Sequence, residues 1–209
     1  MDAFTKRIFV GELQKQCQFA LNAVGQINFC LKQLNSQGLE PEKSDYFQSE
    51  VFRGIHSFLT HASNVSKILW AGLPKKKPNE SDEQYKLRIN KIKKVRRAAE
   101  LRDELGLPEE HALRNRQLRD HLEHFDERID DWEEHSQNKN YVQDNIGPEN
   151  AIVGIDKTDM MRWFNPTNDT FLFRSETFSL QDIATALEKL LPVLVAKEKE
   201  LWQRQITRQ

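Results

Sequence analysis

Apolar residues recur along the first part of the chain in steps of three and four: Val10, Leu13, Cys17, Ala20, Val24, Ile27, Leu31 and Leu34. That repeat belongs to a helix packed along its whole length. Gln, Lys and Asn fill most of the other face, while Phe9, Phe19 and Phe29 widen the stripe. Asn35-Ser36-Gln37-Gly38 supplies a glycine stop, and Pro41 follows. A second stripe, formed by Phe47, Val51, Ile55, Phe58, Leu59, Ala62, Val65 and Leu69, predicts a helix from near Ser44 to about Trp70. Two helices of roughly 27 to 30 residues far exceed the mean of about 11 to 12. Joined by a short polar link, they predict an antiparallel helical hairpin, the beginning of a bundle.

The pattern then fragments. Ala71 to Glu80, with Gly72, Pro74, three lysines and Pro78, reads as a loop. Ser81 with Gln84 forms a capping-box signature that opens a third helix, expected to run to about Glu104 before Gly106. Pro108, followed by Glu109 and Glu110, has the composition of a helix first turn. A fourth helix is therefore expected to reach about Glu134 along the seam Leu118, Leu122, Phe125, Ile129 and Trp132. Ser136 to Asn150 is polar and reads as a loop. Ala151 to Ile155 is a short apolar run, and Met160 to Phe164 precedes the turn-like Asn165-Pro166-Thr167-Asn168-Asp169. With Phe171, Phe173 and Phe178 beyond it, this region predicts a β-hairpin or small three-stranded sheet. Trp163 and Phe171 are read as core of that unit rather than as base-stacking residues. Ser179 with Asp182 caps a closing helix, Leu180 to about Arg204, in which Pro192 is expected to introduce a kink. The expected fold is mainly α: an antiparallel helical bundle over residues 1–135, with a loop, a β-hairpin insertion and the C-terminal helix (136–209) packed on the same domain.

Composition narrows the class. Across 209 residues, 8 Gly and 7 Pro exclude a collagen-like or Pro/Gly-rich disordered chain, and 12 Phe with 4 Trp provide ample core material. Cys17 and Cys30, on one predicted helix, are separated by about 20 Å along its axis, beyond disulfide reach. No stretch approaches the roughly 18 to 20 apolar residues of a membrane span. The opening MDAFTKRIFVGEL contains no continuous apolar signal core. A reducing, cytoplasmic setting without a cofactor is the expectation.

The formal net charge of -1 conceals segregation. Between Lys75 and Arg102 lie eleven cations, among them Lys86, Lys93, Lys94, Arg96 and Arg97, against Glu80, Asp82, Glu83 and Glu100. Asp103 to Glu134 is dominated by acids. The basic block could lead a phosphate backbone toward a site, or it could simply pack beside the acidic block.

The densest concentration of chemistry is RNRQLRDHLEHFDERIDDWEEH, residues 114–135. Histidine can take and give protons near neutrality, and the arginine fork suits phosphate oxygens. Arg119 stands five positions before His124, and Arg116 five before His121. The string RDHLEH resembles the motif of HEPN domains: Arg, a polar residue, three residues, then His, late in a helical bundle. On that resemblance Arg119, Asp120 and His124 take the motif positions, with Leu122 at the apolar position between them and His121 adjacent. The position two beyond the histidine, often tyrosine in the family, is Asp126 here. The resemblance implies a metal-independent endoribonuclease acting as a homodimer with motif residues from both chains in one cleft. It also implies a possible toxin or defence role, with a protein antitoxin or regulatory partner. Positions five apart differ by roughly 140° around a helix, so a two-fold dimer is what would bring Arg119 and His124 together. His124 would serve as general acid or base, Arg119 would stabilise phosphate charge, and Asp120 would orient a neighbour. Lys86, Lys93, Lys94, Arg96, Arg97 and Arg116 are the RNA-binding candidates.

Other readings remain open at the level of sequence. Arg119 and His124 can be ordinary salt-bridged residues of an amphipathic helix. Asp120, His124 and Glu127 share a face and could hold a metal, although no Glu-x-x-His pairs of the bundle metal-site type occur. The chain could also be a non-catalytic nucleotide-binding or protein-interaction module, and His56 and His61 are read as bundle or surface histidines.

Overall fold

The computed structural model describes residues 1–115, 124–148, 151–174 and 176–207. Helix α1 (Ala3–Leu34) starts where the Asp2 carboxylate accepts from the Thr5 amide at 2.7 Å, satisfying one orphan donor of the first turn. Its fully buried residues are Val10, Leu13, Cys17, Ala20, Ala23, Ile27 and Cys30. Ala23 and Cys30 are thus buried more deeply than Val24 and Leu31 of the expected stripe, which pack half-buried against the core. The cause lies in the neighbouring helix α2 (Pro41–Leu69), which approaches α1 closely at Gly54. Pro41 occupies the first turn of α2, so the helix opens before Ser44, with the proline starting it rather than marking the gap. Contacts between Phe29 and Phe47, Gln26 and Glu50, and Gln16 and His61 run in opposite chain directions, which makes the pair an antiparallel hairpin. Cys17 and Cys30 are both free and buried, and burial pushes the Cys17 thiol up to about 12.

The region 82–105 holds two helices, α3 (Asp82–Asn90) and α4 (Lys93–Leu105), where one was expected. The Ser81–Gln84 capping box and the left-handed Gly106 stop both form. The break falls at Lys91–Ile92 because the two halves serve different neighbours. α3 is tied to the preceding loop by Tyr85 Oη donating to the Pro74 carbonyl and by Arg88 paired with Glu80, and it buries nothing. By contrast, α4 buries Ala98, Leu101 and Leu105. No helix begins at Pro108. Glu109 and Glu110 pair with Arg102 and Arg114 instead of serving a first turn, and a short 3-10 turn follows at Ala112–Arg114. Helix α5 (Phe125–His135) forms the last part of the expected fourth helix. The seam positions Leu118 and Leu122 lie outside the described residues.

Four strands replace the expected hairpin or three-stranded sheet: β1 (Val142–Ile146), β2 (Met160–Asn165), β3 (Thr170–Phe173) and β4 (Glu176–Ser179), in that spatial order. β1 runs parallel to β2, whereas β2–β3 and β3–β4 are antiparallel, with Trp163 opposite Leu172 and Phe164 opposite Phe171. The sheet's residues divide between two layers, with neighbours Trp163 and Phe164, and Leu172 and its neighbours Phe171 and Phe173, on opposite sides. Phe164, Phe171 and Phe173 join the bundle core, while Met160, Trp163 and Leu172 pack with Ile152 and Ile155 in a second cluster. Ala151–Ile155 is therefore a packing segment rather than a strand.

Helix α6 (Leu180–Ile206) starts with Ser179 Oγ accepting from the Asp182 amide at 3.1 Å. Arg7 lies over Trp202 at one end, and Val24 and Ile27 face Leu180 and Ala184 around a crevice at the other, so α6 is antiparallel to α1. Pro192 sits on its exposed side, where the carbonyl it leaves unbonded can meet water. Glu104 of α4 gathers Lys6 of α1 at 2.6 Å with Lys197 at 3.4 Å and Arg204 at 3.2 Å from α6. The architecture is thus mainly helical with a small four-stranded sheet before the C-terminal helix, and one core draws on residues from both 1–135 and 136–209. Among the described residues, no helix is long and apolar enough to cross a membrane.

Candidate functional site

Among the described residues, the basic and acidic blocks meet at the Arg102–Glu109 ion pair, while α4 and α5 pack on different neighbours. α4 packs on α2 and α6, and its inner acids are consumed there, Glu104 by three cations and Glu100 by the N-terminal ammonium at 2.5 Å. α5 docks onto the sheet instead: Phe125 meets Phe173, Trp132 Nε1 donates to Asp159, and Arg174 pairs with Asp131. Lys86, Lys93, Lys94 and Arg96 are left exposed, with no carboxylate in ion-pair range among the described residues. Arg97 is used differently. Its guanidinium lies 5.0 Å from the Phe9 ring and donates to the Lys67 carbonyl at 3.3 Å, which ties α4 to α1 and α2.

The start of α4 goes against helix stability rules. Lys93 and Lys94 occupy the first turn, where the dipole is positive, no acid accompanies them, and the N-cap, Ile92, provides no side-chain acceptor. Each choice costs stability, and uncapped amides beside two lysines suit an incoming anion.

Of the motif residues, His124 is described and stands at the N-cap of α5. Its side chain is 54% exposed, and Nδ1 lies 3.3 Å from Glu127 Oε1. Arg116, Arg119, Asp120 and His121 lie outside the described residues. The next residue, Phe125, leads to a group that sequence reading did not single out. The Arg162 guanidinium carbon sits 5.4 Å from the Phe125 ring centre and 5.8 Å from that of Phe52. Arg162 Nε is 2.6 Å from Asp144 Oδ1, and NH1 lies 3.4 Å from His56 Nε2. An arginine at that nitrogen makes it the acceptor and so favours neutral His56. Burial first, then the Arg162 charge, holds the His56 pKa below its ordinary value. Burial raises the Asp144 carboxyl despite its partner. No motif announces this cluster, because its residues come from α2, β1 and β2 and only the fold brings them together. His56 is thus a histidine between bundle and sheet. His61, whose Nδ1 lies 2.7 Å from Gln16 Oε1, belongs to the α1–α2 contact. Trp163 and Phe171 are buried in the two packing layers, in the role expected for them.

Among the described residues, no three His, Cys, Asp or Glu side chains converge as a metal site. No protein-family model, curated protein or solved structure matches the chain.

Proposed function

We propose that the protein binds RNA on the α3–α4 face and cleaves it without a metal, as a HEPN-like homodimer. The observation that carries this reading is the open cationic face of Lys86, Lys93, Lys94 and Arg96, with two of these lysines at an uncapped helix start where they cost the fold stability. RNA brings its own nucleophile. His124, exposed at the head of α5, removes the 2′-hydroxyl proton, the 2′-oxygen attacks the adjacent phosphorus, and the P–O5′ bond breaks. The leaving 5′-oxygen takes a proton from the second His124 of the dimer. Arg119 stabilises the charge gathering on the phosphate. The products are a 2′,3′-cyclic phosphate and a 5′-hydroxyl. A protein antitoxin or regulatory partner in a toxin or defence system belongs to the same reading.

One observation favours a second reading, a non-catalytic RNA-binding module: His124 is held by Glu127 at the head of a helix rich in carboxylates, which repel phosphate. A single experiment separates the two. Total RNA is incubated in chelator with wild type, His124→Ala, Arg119→Ala and the triple variant Lys93→Gln/Lys94→Gln/Arg96→Gln. The nuclease reading expects cyclic-phosphate ends that vanish with either single change, and RNA binding weakened at least tenfold in the triple variant. Binding without cleavage in wild type selects the second reading. Binding unchanged in the triple variant removes both.

A further inference from the structure

A cleft of about 450 Å³ opens between the loop after α2, the end of α3, the inner side of α4 and the Glu109–Arg114 segment. Its walls are polar and apolar in about equal parts, the apolar part lined by Leu73, Ile89, Val95 and Ala99. Trp70 lines it as well. The indole is buried, lies 5.1 Å from the His111 ring at 23°, and its Nε1 has no hydrogen-bond partner among the described residues. Two arginines stand at the cleft. Arg102 is fixed by donating from NH1 to the Leu69 carbonyl at 2.5 Å, and its NH2 lies 2.6 Å from Glu109 Oε2. Arg114 pairs through NH1 with Glu110, and its NH2 stands 3.9 Å from the other oxygen of the Glu109 carboxylate. Glu109 is itself 59% exposed, so a solvent-facing carboxylate holds Arg102 and stands within reach of Arg114 beside the apolar part of the cleft.

That arrangement has the shape of an anion clamp closed by a resident acid. The volume falls within the range of roughly 300–1,000 Å³ typical of small-molecule sites. The apolar side chains suit the face of a planar ring, and the Asn90 amide in the lining offers a donor and an acceptor to a base edge. The same two helices carry Lys86, Lys93, Lys94 and Arg96 on their exposed faces, so a strand held by those cations has the cleft within reach of its bases. We propose that this cleft seats one nucleotide of bound RNA, the base in the apolar slot and its phosphate on Arg102 and Arg114 in place of Glu109. The proposal rests on the RNA reading for the source of that nucleotide. The chemistry, a flat base joined to a phosphate, is shared with a free mononucleotide.

The test uses the full chain titrated with AMP, with ribose 5-phosphate and with a hexamer of oligoadenylate. Two variants are designed to act in opposite directions. Ala99→Leu fills the slot from a partly exposed position on a helix and is expected to weaken AMP and hexamer binding at least tenfold. Glu109→Gln removes the competing carboxylate and is expected to tighten both three- to tenfold. Unfolding curves show that each variant remains folded. Ribose 5-phosphate, lacking the base, should bind at least tenfold more weakly than AMP. The proposal is overturned if AMP fails to bind at millimolar concentration, if Ala99→Leu leaves binding unchanged, or if Glu109→Gln does not tighten it. Hexamer binding that depends on Lys93 and Lys94 but ignores both cleft variants overturns the cleft while the RNA reading stands. AMP binding that follows both variants, with no hexamer bound, supports the cleft and makes the free nucleotide its ligand.

Discussion

At Gly54 the packing of the hairpin depends on a missing side chain. A Cβ placed there would lie 2.7 Å from Ile27 Cγ1, inside any normal contact, and 3.6 Å from the Ala23 carbonyl oxygen. Gly54→Ala therefore forces Ile27 aside in a filled core, with an expected loss of about 1–3 kcal/mol by urea unfolding. Gly11, also within α1, has nothing within 4 Å of its Cβ position. Gly11→Ala should instead raise stability by up to ~1 kcal/mol through helix propensity alone. A loss at both positions would show that crowding at Gly54 is not the cause. Neither role was legible in the sequence, where both glycines interrupt helical stripes in the same way. The Arg162 cluster was hidden for a related reason: His56 and Arg162 are 106 residues apart, and no local spacing connects them. His124 was legible as a candidate because its chemistry and its neighbours in sequence are local, and the structure places it exposed beside Glu127.

Among the elements, α3 is held by its cap and by loop contacts rather than by a core. Ser81 Oγ accepts from the Gln84 amide at 3.2 Å, Gln84 Oε1 accepts from the Ser81 amide at 3.0 Å, and no residue of the helix is buried. Ser81→Ala is expected to cost α3 about 1 kcal/mol. Because little else depends on α3, amide exchange should speed up across residues 82–90 by roughly fivefold, while the global unfolding midpoint stays nearly fixed. An equal shift in both would mean that α3 is part of the cooperative core. The elements read most securely from sequence, α1, α2 and α6, are those whose apolar stripes are long enough to declare a period and whose ends carry proline, glycine or serine signals. β1 was missed because Val-Gln-Asp-Asn-Ile has only two apolar residues, at its ends. Its place is set by pairing with β2 and by the Asp144–Arg162 ion pair. The fourth helix was overextended because Pro108-Glu109-Glu110 satisfies a local rule that the ion pairs to Arg102 and Arg114 override.

For the whole molecule, titration sets a direction for stability. His56, His61 and His111 all have pKa values depressed chiefly by burial. In the unfolded chain each takes up a proton near its ordinary value of 6.5, before the folded form does. Their contribution is therefore fully present above that value and is lost as pH falls below it toward the folded values. Glu104, depressed first by its hydrogen bond from Lys6, adds stability above the ordinary 4.5 that is lost at still lower pH. Thermal midpoints measured from pH 7.5 to 3.5 should decline in two stages, with His56→Gln shrinking the first. A flat profile between pH 7 and 5 would contradict the assigned burial of the histidines. Among the described residues the two charge blocks touch at Arg102 and Glu109, but only the fold shows that α4 and α5 otherwise serve different neighbours.

The antiparallel seating of α6 on α1 also has a kinetic side. Arg7 meets Trp202, and the apolar face of α1 shares its core with Leu187, Leu194 and Leu201, residues made more than 150 positions later. Such contacts raise the contact order well above that of a simple helical hairpin, and closing so long a loop slows folding. A nascent chain can fold α1 against α2 early. Until α6 leaves the ribosome, however, part of the α1 surface has nothing to cover it. The slow step in folding is therefore expected to come after α6 has emerged, and until then the exposed helix face is the surface a chaperone would hold.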